Sequence, residues 1–86
     1  ENALTRETRQ EQYVRSLAEQ LVLARQAKDQ TLENYTKGTT DFLRYLTALQ
    51  SYQGLQRQLL AARLDLVLFR IDLYRALAGG WENDGL

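Results

Sequence analysis

The fold is decided by the stretch Leu59-Leu-Ala-Ala-Arg-Leu-Asp-Leu-Val-Leu-Phe-Arg-Ile-Asp-Leu-Tyr-Arg-Ala-Leu-Ala78. Leu59, Ala62, Leu66, Phe69, Leu73 and Ala76 recur at alternating spacings of three and four, and so do Leu60, Leu64, Val67, Ile71, Tyr74 and Ala78. That alternation is the period of roughly 3.5 residues at which helices supercoil on one another. At about 100° per residue the two stripes lie well apart on the helical wheel. Arg63 and Arg70 divide them on one side, Asp65 and Asp72 on the other. A two-helix hairpin needs one seam, so the second stripe predicts a further neighbour from outside the chain, as a barrel wall or bundle demands. Burial in one ordinary bundle core is the plainer alternative. The four charges, repeating at seven, suit inter-helix pairs that set register or polar groups facing a lumen. A solvated face is the plainer reading, because exposed pairs contribute little.

Working back towards the N-terminus, the same helix extends over residues 41–78, roughly 38 residues or about 57 Å at about 1.5 Å per residue. Gly54 lies inside it at a cost of about 1 kcal/mol against alanine, marking either close packing with another backbone or a bend. Gly79-Gly80 is expected to end the helix, leaving 79–86 as a tail without periodicity. The break before it is Lys37-Gly38-Thr39-Thr40-Asp41. Gly38 suits the left-handed closing position and Lys37 the negative end of the first helix. Thr39 or Thr40 can cap the second helix, with Asp41 in its first turn. A stop followed so closely by a start leaves a tip turn of 37–40, and short connections make neighbouring helices antiparallel.

Residues 1–36 form the first helix, rich in Glu, Gln, Arg, Leu and Ala. Val14, Leu17, Leu21 and Ala24 set its apolar face, resumed by Leu32 and Tyr35. Glu11/Arg15 and Arg15/Glu19 add weak support at a spacing of four, while Glu7/Glu11 is a like-charge pair. The first dozen residues have Ala3 and Leu4 as their apolar anchors and are expected to fray. The fold class expected is therefore all-α: a long, antiparallel, coiled-coil-like two-helix hairpin.

Composition narrows the function. The chain has 86 residues, no cysteine, no histidine and no proline. Disulfides, thiolate or imidazole metal sites, and Ser–His or Cys–His nucleophiles are excluded, and no glycine-rich phosphate loop is present. No enzyme activity, metal or cofactor is expected. Eleven basic residues balance eleven acidic ones, so the chain lacks the basic footprint of a nucleic-acid or anionic-membrane binder. It contains no apolar run long enough for a membrane-spanning helix. A translated chain starts with methionine, which is absent here, so this one reads as a piece of a longer protein.

The residues about the break, Tyr35-Thr-Lys-Gly38-Thr-Thr-Asp-Phe42-Leu43-Arg-Tyr-Leu46-Thr-Ala48-Leu-Gln50-Ser51, resemble the pattern Y-x-x-G-x-x-[DS]-[YF]-L-x-V-L-x-A-x-x-S of outer-membrane efflux proteins, the TolC family. Leu73-Tyr74-Arg-Ala-Leu77-Ala-Gly79-Gly80-Trp81 is similar to that family's L-Y-x-A-L-G-G-G-W ending, most like that of the lipoprotein components of resistance–nodulation–division pumps. The resemblance runs from about Leu21 to Trp81. It implies a periplasmic segment of a bacterial outer-membrane protein: a fragment of a trimeric α-barrel whose tip, Lys37, Gly38, Thr39 and Thr40, docks with a periplasmic adaptor. An inner-membrane pump completes the tripartite efflux assembly. Tyr35, Asp41, Arg44, Tyr45 and Thr47 are then aperture or lumen candidates. Arg44 and Thr47 stand where the family often carries acids, so a ring of Arg44 would repel cations. For the turn itself an ordinary helix–helix connection is the plainer reading, and for Tyr35 and Tyr45 it is packing at a seam. A soluble coiled-coil scaffold that binds another helical protein is the alternative function, and a rearranged pairing of helices removed from a trimer is a further possibility.

Overall fold

The computed structural model describes the backbone of residues 3–85 and the side chains of residues 4–79. Two helices, α1 (Ala3–Thr36) and α2 (Phe42–Gly85), make up the described chain. They pack along each other as an antiparallel hairpin of 72 × 16 × 14 Å. Its radius of gyration of 20.1 Å far exceeds the roughly 12 Å of a compact domain of this length.

The connection follows from hydrogen-bond accounting at the end of α1. Gly38 takes φ +80°, which a residue with a Cβ adopts at a cost of about 1–2 kcal/mol. That turn aims the Gly38 N–H at the Tyr35 carbonyl (3.0 Å) and the Thr39 N–H at the Asn34 carbonyl (2.9 Å). This pair of bonds is a Schellman closure, satisfying carbonyls the helix end would otherwise leave bare. The Thr39 hydroxyl donates to the same Asn34 carbonyl, and Lys37 pairs with Glu33 at 2.7 Å. Thr39 therefore finishes α1, and neither threonine caps α2 as expected. Asp41 is the cap: its Oδ1 accepts from the Arg44 N–H at 2.9 Å, so Asp41 precedes the helix and does not lie in its first turn.

The buried core is small. Leu17 from α1 meets Leu59 and Ala62 from α2, with Val14, Ala18, Leu21 and Leu55 packed around them, and Leu66 continues the buried line. Two bounds differ from expectation. α2 does not stop at Gly79-Gly80 but continues to Gly85. A glycine closes a helix when it turns left-handed, and Gly38 is the glycine with positive φ among the described residues. Glycine within a helix costs about 1 kcal/mol but leaves the ladder intact. Beyond Gly79 the side chains, Trp81 included, lie outside those described. The N-terminal part of α1 is helical from Ala3 and is tied to α2 by polar contacts, described below, which a reading by apolar anchors misses.

Candidate functional site: the hairpin tip and the outward stripe

Each apolar stripe of α2 has a different fate. Leu59, Ala62 and Leu66 are buried against α1, and Phe69 and Leu73 are half-buried. Continued towards the turn, the same heptad line runs through Leu55, Tyr52, Ala48 and Tyr45, all half-buried. The second stripe faces away from α1: Leu60 is 70% exposed, Leu64 59%, Val67 49%, Ile71 40% and Tyr74 65%. The two stripes are centred about 150° apart at about 100° per residue, on nearly opposite faces of the helix.

α1 has no such second face. Its inward line is Gln10, Val14, Leu17, Leu21, Ala24, Lys28 and Thr31, none of them exposed. The stripe does not resume at Leu32 and Tyr35, which are 40% and 41% exposed. A periodicity of 3.5 holds the seam on Lys28 and Thr31 instead. Opposite this line the residues are mostly polar or charged, among them Thr8, Gln12, Arg15, Glu19, Gln26 and Gln30, with Val22 and Leu23 as an exposed apolar pair.

Polar groups tie the seam at fixed points. Arg70 reaches across to Glu7 (Nε to Oε1, 2.9 Å) and Glu11 (Nη2 to Oε1, 3.1 Å). The like-charge pair on α1 is thus bridged by one guanidinium, and its donated hydrogen bond to Glu7, then that to Glu11, raises the Arg70 pKa. Because Glu11 turns to Arg70, the pairs expected of Arg15 with Glu11 and Glu19 do not form within 4 Å among the described residues. Arg63, Asp65 and Asp72 are exposed and make no ion pair there either, so of the four repeating charges Arg70 is the inter-helix tie. The Gln10 amide donates to the Ala62 carbonyl at 2.8 Å. Nearer the turn, Lys28 places its ammonium 4.9 Å from the Tyr52 ring centroid and 2.9 Å from Asp29. The Asp29 hydrogen bond is the main cause raising the Lys28 pKa. Its contribution is therefore present below the ordinary lysine value and lost as pH rises through the higher folded one.

At the tip, Lys37, Gly38 and Thr39 are exposed and Thr40 is half-buried. Tyr35 and Tyr45 are brought together through Phe42, whose ring lies 5.5 Å from the first and 6.0 Å from the second. Both contacts are tilted aromatic packing, and neither tyrosine hydroxyl is hydrogen-bonded among the described residues. Asp41, Arg44 and Thr47, with Leu43, line one shallow groove on the outer side of α2. The Thr47 hydroxyl bonds back to the Leu43 carbonyl at 3.0 Å. Sequence reading missed Leu43, 68% exposed, and Phe42, 51% exposed. The signal was available, since both precede the heptad line that begins at Tyr45.

Among the described residues Gly54 has no close backbone neighbour from the other helix. A Cβ built on it meets the Arg57 guanidinium at 3.9 Å, an ordinary contact. Among the described residues no group of three or more acidic, histidine or cysteine side chains is placed to hold a metal ion, and no helix is long and apolar enough to cross a membrane. No family model matches this sequence, and no curated protein or solved structure matches it either.

Proposed function

We propose that this hairpin is a wall element of the periplasmic α-barrel of an outer-membrane efflux channel, with residues 37–40 at the end that meets a periplasmic adaptor. The observation that carries this reading is the division of α2 into two nearly opposite apolar stripes, one covered by α1 and one bare. A helix inside a wall has a neighbour on each side, and its remaining two faces stay wet. α2 fits that pattern, with Arg63 and Arg70 on one intervening arc and Asp65 and Asp72, beside Arg75, on the other. The surface is large enough to call for a partner: the chain exposes 6690 Å², against about 5,200 Å² for a compact monomer of its mass. Full burial of one large apolar side chain is worth about 1.5–3 kcal/mol, so covering the stripe offers several such increments before the costs of association. The resemblance of the tip and ending motifs supplies the identity of the assembly.

The test is cell fractionation and crosslinking with the gene that encodes this chain. The expected result is recovery with the outer membrane as a trimer, with cysteines at Lys37 or Thr39 crosslinking to a periplasmic adaptor. Recovery as a cytosolic protein paired with another coiled coil would overturn the proposal in favour of a soluble scaffold.

A further inference from the structure

The charges that border the bare stripe of α2 identify what covers it. Taking Leu60, Leu64, Val67, Ile71 and Tyr74 as its centre, Arg63 lies about 60° to one side and Arg75 about 60° to the other, at about 100° per residue, and Arg57 stands at the next position of the stripe's alternation, three before Leu60. All three arginines are exposed and make no ion pair among the described residues. Arg70, on the same side as Arg63, is turned inward to Glu7 and Glu11. The acids of this part of α2, Asp65 and Asp72, stand further round, behind Leu68. The stripe is thus an apolar seam with a cationic border on both sides.

We propose that this face binds an amphipathic α-helix from outside these residues, apolar at its a and d positions and acidic at the flanking ones. The inference rests on the same bare stripe as the proposed function and adds the chemistry of its neighbour. Three observations select this occupant. The 3.5-residue spacing and the narrow width of the stripe are those of a helix seam, whereas a membrane-surface helix presents a broad apolar face. A second copy offering its own stripe brings arginine against arginine in either orientation. A second copy offering the back of its α1 presents mostly polar and charged residues, with Val22 and Leu23 as one isolated apolar pair, too short a patch to fill a stripe of five apolar residues. Flanking charges of opposite sign set partner choice in helical pairs.

The experiment titrates the whole chain with synthetic helical peptides of about three heptads. All carry leucine at a and d, with Glu, Gln or Lys at the flanking positions. The Glu peptide is expected to bind about tenfold more tightly than the Gln peptide, as a few rim pairs allow, and the Lys peptide not at all. The gap should narrow as salt rises. In the triple variant Arg57→Glu, Arg63→Glu, Arg75→Glu, with helicity checked by circular dichroism, the order should reverse, and Leu64→Glu should abolish all binding. Equal binding of the Glu and Gln peptides would overturn the charge assignment while leaving the bare stripe, and the wall reading, standing. No binding by any peptide, with Leu64→Glu changing nothing, would remove both. Capture by phosphatidylglycerol vesicles in place of the Glu peptide would overturn the helix partner in favour of an anionic membrane surface.

Discussion

The half of the hairpin away from the turn and the half beside it are held in different ways. The distant half contains every buried residue of the core, Leu17, Leu59, Ala62 and Leu66, and also the bare outward stripe. The half beside the turn has no buried side chain. Its seam sets Ala24, Lys28 and Thr31 against Tyr45, Ala48 and Tyr52, all half-buried, and its end is closed by backbone hydrogen bonds and tilted aromatic rings. Close packing of leucine and alanine makes the stem the firmer half, with one apolar stripe covered and the other bare. A seam of small residues, rings and one lysine, closed by a glycine turn, gives a well-capped end whose apolar groups, Phe42 and Leu43, remain available at the surface.

The sharpest way to break this comparison is at adjacent residues of the stem. Leu59→Ala should cost about 2–5 kcal/mol through the cavity it leaves, enough to unfold so thin a molecule in a thermal melt followed by circular dichroism. Leu60→Ala, one position on, should change stability by less than about 0.5 kcal/mol. Equal effects would erase the distinction between the stripes. At the tip, Gly38→Ala forces a Cβ into a left-handed turn and should cost about 1–2 kcal/mol, read from the same melts. Asp41→Ala removes the cap of α2 and should cost about 1 kcal/mol, whereas Thr40→Ala should cost less. The reverse order would restore the threonines as caps. Gly54→Ala, between the two halves, should stabilise the free chain by about 0.5–1 kcal/mol, because the space for its Cβ is open. Destabilisation there would reveal a close neighbour at Gly54.

Much of this was legible in the sequence. The length of α1, the antiparallel turn at Gly38 and the separation of the two stripes all follow from periodicity and from one strong stop signal. What escaped the reading did so for physical reasons. Gly38 and the Gly79-Gly80 pair look alike in a sequence, yet a closing glycine needs its freed N–H groups to find carbonyls one turn back, as those of Gly38 and Thr39 do. Asp41 outcompeted its threonine neighbours because Thr39 spends its backbone N–H and hydroxyl on the end of α1. Lys28 lies in the seam although an apolar pattern passes over it, since its long methylene stem packs while its ammonium reaches a ring and a carboxylate. The Arg70 tie joins groups roughly sixty positions apart, a distance at which no local spacing rule applies. For the tip, the motif resemblance suggested aperture residues, and the structure gathers Asp41, Arg44 and Thr47 into one groove while setting Tyr35 and Tyr45 around Phe42.

The measurement that bears most directly on the uncovered stripe is the molar mass of the whole chain by light scattering, over a series of concentrations and salt strengths. At low salt the mass should stay near that of the monomer, because the arginines hold two copies of the stripe apart. It should rise with concentration at high salt, which screens the arginines that repel across such a contact, and the rise should vanish in Leu64→Glu but persist in Leu23→Glu. A well-folded monomer at every concentration and salt strength would contradict the existence of a face in search of a partner.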